Sequence, residues 1–264
     1  MMGIEILLYM IIGSFAGILA GLLGVGGGLI IVPCLVFIYT YLGFNEDILV
    51  HVAIGTSLAS IIFTGTSSAY THYIKDSVDT KILIPVTFGI VVGAFIGAVI
   101  ADHINGNDLR KIIGAFALII AIQMYFNIDK YLLSTKPRNF VSVSVGGFIG
   151  AASSILGIGG GSFSVPYFKM SGLKLKTAIG TSAACGISIA VFGALGFLIS
   201  GIDEQSLPQS SIGYIHLPSL FFISLSSIFF ARIGANIAHK ISDHLLKIVF
   251  VLLMVIISFY MLFL

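Results

Sequence analysis

Charge is what this sequence lacks: only 9% of its 264 residues are charged, where an ordinary soluble domain carries about 25%. Hydrophobic residues make up 58%, so a water-borne globule of this mass could not cover its surface with polar groups, and lipid must replace water over most of it. Soluble enzymes and nucleic-acid binders are thereby excluded. A charge imbalance is missing as well: 13 Lys and Arg against 11 Asp and Glu give no polyanionic partner a handle. Cysteine is scarce, and both Cys34 and Cys185 lie inside apolar stretches, which argues for packing thiols rather than a disulfide framework or a zinc site. Nothing implies a cofactor. No Lys or Arg precedes the first apolar run, residues 4–23, so it reads as a retained membrane helix and not as a signal peptide. The short alternating segments of an outer-membrane barrel are absent too, since the runs are continuous and about 20 residues long. The expected fold is an all-α integral membrane protein in a lipid bilayer.

What is present is a series of apolar segments at 4–23, 29–43, 48–73, 82–101, 109–126, 139–156, 162–170, 177–200, 212–238 and 245–264. Two breaks between them carry no charge, Gly24-Val25-Gly26-Gly27-Gly28 and Gly157-Ile158-Gly159-Gly160-Gly161. Each is followed at the same distance by a proline, Pro33 or Pro166, an offset of 133 positions. Ala53-Ile54-Gly55-Thr56-Ser57 returns 125 positions later as Ala178-Ile179-Gly180-Thr181-Ser182, and Ile96-Gly97-Ala98 about 137 later as Ile233-Gly234-Ala235. The order of marks is the same in both halves, so the chain reads as two repeats of five segments, 1–130 and 131–264. Five is odd. The copies must therefore insert in opposite orientations, an arrangement found in secondary transporters.

If the chain changes sides at every segment, 11 of the 13 Lys and Arg fall on one side, and only Arg110 and Lys111 on the other. That bias marks the rich side as cytoplasmic and puts both termini outside. A glycine-broken pair that crosses fully and one that re-enters preserve the partition equally; the shortness of 162–170 favours a tip partway through the membrane.

The glycines carry chemistry. They allow positive φ and close approach of the backbone, and a helix starting directly after them offers unpartnered N–H groups and the positive end of its dipole to an anion. The candidate substrate-binding residues are Gly24, Gly26, Gly27 and Gly28 with Gly157, Gly159, Gly160 and Gly161, joined by the hydroxyls of Thr56, Ser57, Thr181, Ser182, Ser162 and Ser164. For Gly97 and Gly234, close helix packing is the preferred reading. A nucleotide loop is a poor match, because no Lys follows the glycines. An intramembrane hydrolase using Ser57 or Ser67 with His51 or His72 is a second class, but the duplication keeps the Thr-Ser pair and replaces His51 by Lys176, so no dyad is repeated. All 11 acids lie at or beyond segment ends, which leaves His51 as the one titratable coupling candidate near a motif.

The duplicated glycine-rich hairpin with its trailing proline, together with the duplicated Ala-Ile-Gly-Thr-Ser, resembles the sulfite exporter TauE/SafE family of membrane permeases along the whole chain. The resemblance implies a secondary transporter of the prokaryotic cytoplasmic membrane, moving sulfite, sulfonates or related small organic anions by alternating access. It implies export and no enzymatic step. Which anion is carried, and whether copies form a homo-oligomer, is left open by the sequence.

Overall fold

The computed structural model describes residues 2–23, 26–126, 139–237 and 243–263. Ten helices follow one another among them: α1 (Met2–Leu23), α2 (Gly28–Tyr41), α3 (Leu49–Ile74), α4 (Thr80–Asp102), α5 (Gly106–Phe126), α6 (Asn139–Leu156), α7 (Gly161–Met170), α8 (Leu175–Ser200), α9 (Leu217–Ile237) and α10 (Asp243–Phe263). The expected all-α architecture is what the chain adopts, because helices alone satisfy the backbone of long apolar runs within each run. Six helices are long and apolar enough to cross a membrane: α1, α3, α4, α5, α8 and α9. By contrast, α2 has 14 residues and α7 has 10, or about 21 and 15 Å at 1.5 Å per residue, short of a hydrocarbon core of about 30 Å.

Two boundaries differ from the sequence expectation for local reasons. Helix α4 starts at Thr80, because the Asp79 carboxylate accepts hydrogen bonds from the amides of Lys81 and Ile82 and so draws two polar residues into the first turn. The ninth segment loses its first residues to a small antiparallel ribbon, β1 (Ser211–Ile212) with β2 (Ile215–His216), which turns at Gly213 with φ 53° before α9 begins.

Helices α3 and α8 cross at the centre, with 83% and 56% of their span residues buried, against 33–39% for the other four. Around them α4 lies along α6, α1 along α9, and α5 against α10; α8 also packs on α4, α3 on α9, α2 on α3 and α7 on α8. The seams are lined with glycine. A Cβ on Gly97 would strike the Ala151 carbonyl, and one on Gly234 the Ile18 carbonyl, so these positions bring backbone against backbone, the way helices associate where no hydrophobic force separates them from lipid.

The bundle has two distinct ends. At one, His51 at the start of α3 reaches the carbonyl oxygens of Ala101 and Ile104, and Tyr9 of α1 stands beside His216. At the other, Lys75 Nζ donates to Asn236 Oδ1 at 3.0 Å and the Tyr167 hydroxyl donates to Ser142 at 3.1 Å. This second end carries Lys75, Lys81, Lys169, Lys174, Lys176 and Arg232, whereas Arg110 and Lys111 in the first turns of α5 belong to the first. It is the lysine-rich end.

Candidate functional site

The two glycine turns meet in the interior. Gly27 (φ 78°, ψ −10°) and Gly160 (φ 75°, ψ −5°) hold the same left-handed conformation immediately before α2 and α7, and neither helix has a side-chain cap. Only glycine occupies that region without strain. The turns touch through their backbones: a Cβ on Gly26 would lie 3.0 Å from Gly159 Cα, and one on Gly28 would collide with the Gly157 carbonyl and come within 2.8 Å of Ile158 Cα. Gly161 opens α7 directly beyond this contact. The carbonyls of Gly27 and Gly160 accept from the third and fourth residues of their helices, Ile30 and Ile31, and Phe163 and Ser164. The amides of residues 28, 29, 161 and 162 make no hydrogen bond among the described residues. Gly24 lies outside the described residues.

Two helix N-termini therefore converge, each carrying about half a positive charge. In a low-dielectric interior such neighbours repel unless something negative lies between them or polar groups offset them. Carboxylates do not supply it: among the described residues the buried polar side chains are serines, threonines and histidines only. No group of His, Cys, Asp and Glu converges to hold a metal among the described residues either.

The Gly-Thr-Ser motifs have a geometry that the sequence did not reveal. A Cβ on Gly55 would strike the Tyr214 carbonyl, and the Thr56 hydroxyl oxygen accepts the His216 amide at 2.9 Å. In the second copy a Cβ on Gly180 would strike the Ser77 carbonyl, and the Thr181 hydroxyl accepts the Asp79 amide at 2.9 Å. Each motif thus grips the strand of chain that leads into a helix of the other half, α9 for the first copy and α4 for the second. We refer to these as latches. The Thr56 latch sits at the end opposite the lysines, the Thr181 latch at the lysine-rich end.

The serines bind the turns. Ser57 donates to the Gly157 carbonyl at 2.9 Å, Ser164 donates to the Gly160 carbonyl at 2.9 Å, and Ser164 and Ser182 are 2.8 Å apart. Ser162 is half-buried on the first turn of α7. His51 is buried and its Nε2 meets the Ala101 carbonyl in the last turn of α4 and the Ile104 carbonyl just beyond it, so its place is a helix terminus and not the turns. The serine-histidine pairs considered for hydrolysis do not form through Ser57 or Ser67, which donate instead to Gly157 and Ile228 carbonyls.

One cluster was not legible in the sequence. His216 Nδ1 lies 2.7 Å from Ser219 Oγ, the Tyr39 hydroxyl donates to Ser219 at 3.0 Å, and Tyr9, Tyr39 and Phe44 stand edge-on to the imidazole. Burial pushes the His216 imidazole down to about 4. These residues have no matching types in the other half, so the repeat gave no signal for them.

Comparison with known proteins agrees with the membrane architecture. The family model for "Sulfite exporter TauE/SafE" matches residues 9–261. A probable membrane transporter protein of Haemophilus influenzae is 37% identical over 257 residues, covering 96% of each chain. Another, from Methanocaldococcus jannaschii, is 28% identical over 244 residues, covering 91% of this chain and 89% of its own. A third, YunE of Bacillus subtilis, is 30% identical over 211 residues, covering 72% and 77%. No solved structure matches the chain. With its helical membrane fold and a family match that runs nearly end to end, the chain belongs to the sulfite exporter TauE/SafE family and is a membrane transporter, not an enzyme.

Proposed function

We propose that this transporter exports small oxyanions such as sulfite or sulfonates, holding them between the first amides of α2 and α7 where the two glycine turns meet. The observation that carries the reading is the convergence of two helix N-termini without side-chain caps, in an interior without a buried carboxylate among the described residues. An oxyanion satisfies several such donors at once and cancels the repulsion of the two dipoles.

Alternating access between inverted repeats 1–130 and 131–264 supplies the movement. Its support is an exchange symmetry: replacing α1–α5 by α6–α10 turns the α4/α6 seam into α9/α1, α8/α4 into α3/α9, and α2/α3 into α7/α8. The same exchange turns one latch into the other. The hairpins α1–α2 and α6–α7 then reach the midplane from opposite faces, in keeping with the shortness of α2 and α7. By the positive-inside rule the lysine-rich end faces the cytoplasm of a prokaryotic cell and both termini face outward. One latch releases at a time, opening the site to one face.

The test is sulfite flux in proteoliposomes. Gly28→Ala drives a methyl group into the Gly157 carbonyl and should lower flux by about 5- to 150-fold, on the order of the 1–3 kcal/mol of an overpacked contact. Gly3→Ala, which meets nothing within 4 Å, should leave it unchanged. Equal flux in the two variants would remove the glycine turns from the transport site.

A further inference from the structure

Buried hydroxyls on these helices commonly donate to the carbonyl one turn back: Ser60 to Thr56, Thr64 to Ser60, Ser164 to Gly160 and Ser171 to Tyr167. Ser153, in the last turn of α6, does not. It is fully buried, and its hydroxyl has no partner among the described residues. A buried hydroxyl in that state is costly.

Its surroundings are those of the second glycine turn. A Cβ on Gly160 would lie 3.2 Å from Ser153 Oγ and 3.6 Å from Ile149 Cγ2, and would overlap Ile189 Cδ1. Gly160 is the residue from which α7 starts, without a side-chain cap. The hydroxyl thus stands beside the positive end of α7, next to methyl groups that neither donate to it nor accept from it. Ser154 lacks a partner too, but it faces Gly193 and Leu58 where α8 and α3 cross. Place, and not the missing partner alone, singles out Ser153.

The duplication supplies an internal control. At the repeat offset of 133 positions Ser153 corresponds to Ala20, also fully buried. The first turn nevertheless takes the conformation of the second, with Gly27 at φ 78°, ψ −10° and Gly160 at φ 75°, ψ −5°. The turn forms without a hydroxyl at this position. In the same way Ser162 and Ser164 of α7 stand where α2 has Leu29 and Ile31.

From these observations we propose that Ser153 is a binding residue of the anion site: its hydroxyl donates to an oxygen of the oxyanion at the first turn of α7. The anion is then held against α7 and not midway between the two turns. Room for it comes from the Ile189 δ-methyl, the far end of a flexible side chain that turns aside by a rotamer change. A helix N-terminus and a hydroxyl both present donors, and an oxyanion brings acceptors to both. This proposal rests on the anion-transport reading and adds one residue to it.

The test compares wild type, Ser153→Ala and Ser171→Ala by thermal unfolding in detergent, with and without sulfite, and by sulfite flux in proteoliposomes. Without sulfite, Ser153→Ala should unfold at the wild-type temperature or above, because an unpartnered polar group is exchanged for the residue that the first copy carries. With sulfite it should lose most of the rise in Tm that the wild type gains. Its apparent KM should rise about tenfold, the size of one hydrogen bond to an anion. Ser171→Ala, which removes a partnered hydroxyl at the far end of α7, should keep its KM within about twofold. A lower Tm for Ser153→Ala without sulfite would make the hydroxyl structural, and an unchanged KM would remove it from the site; either result overturns the proposal and leaves sulfite transport standing. Absence of both sulfite flux and sulfite stabilisation in the wild type would overturn the transport reading for that anion, and this role with it.

Discussion

If the latches are gates, deleting one threonine hydroxyl should open the protein to one face only. Thr56→Val and Thr181→Val keep side-chain volume and remove the acceptor of one buried backbone amide, at His216 or Asp79. A buried donor left without a partner costs about 1–3 kcal/mol in the closed latch, and the amide regains water once the latch opens. At about 1.4 kcal/mol per factor of ten, the open population rises roughly 5- to 150-fold. Native Cys185 serves as a reporter, since it lies fully buried one turn inward of Thr181 on α8. Ser60, also fully buried, lies one turn inward of Thr56 on α3. With Cys34→Ser as background, Thr181→Val should speed labelling of Cys185 by an impermeant thiol reagent applied at the lysine-rich face. Thr56→Val should speed labelling of a Ser60→Cys, Cys185→Ser reporter from the opposite face. Each variant should slow or leave unchanged the reporter at the other latch. Faster labelling at both reporters in either variant would mean general loosening and would refute the gating argument.

Because the interior holds no buried countercharge among the described residues, translocation should carry the charge of the anion: sulfite accumulation should follow an imposed potential by about 2.3 kcal/mol per charge per 100 mV, close to 50-fold. A gradient indifferent to a valinomycin-clamped potential would rule this out. His216, pushed down to about 4 from its usual 6.5, is neutral in the fold, so the unfolded chain binds the extra proton between those values and stability falls as pH drops through that window. From pH 7 to pH 5 the loss is about 2 kcal/mol. Thermal unfolding in detergent should show it, and His216→Gln should flatten the dependence; an identical slope in that variant would assign it to another group.

Helix number and order were legible because each element is an apolar run closed by charge or glycine, and because the sequence repeats the same marks in both halves. Gly27 and Gly160 stand where the pattern required a left-handed residue, and both have it. The partners of Thr56 and Thr181 were hidden for a physical reason. The latches join residues 160 and 102 positions apart, and a hydroxyl that accepts a backbone amide places no demand on the type of residue that donates it. His216 and Asp79 are both accepted there, so no matching pair of residue types appears in the sequence. The glycine before each threonine was the readable half of the motif, as the backbone it faces must come close enough to exclude any Cβ.

This difference separates what duplication preserves from what it lets change. Contacts with a backbone atom on at least one side, such as the paired turns, the threonine latches and the glycine seams, recur in both halves because they place no demand on the residue type opposite. Contacts between two side chains, such as Tyr39 with Ser219 or Thr64 with Ser227, do not recur at the repeat offsets. Along α3 the positions four apart, Thr56, Ser60, Thr64 and Ser68, are hydroxyl-bearing and buried, and Thr64 meets Ser227 of α9; at the repeat offset on α8 they become Thr181, Cys185, Ile189 and Gly193. If the proposed alternating access holds, a frame that is symmetric in its backbone and asymmetric in its polar lining offers equivalent means of opening at both ends and a different environment for the anion at each. Under the export reading, such an inequality biases the direction in which a weakly held anion leaves.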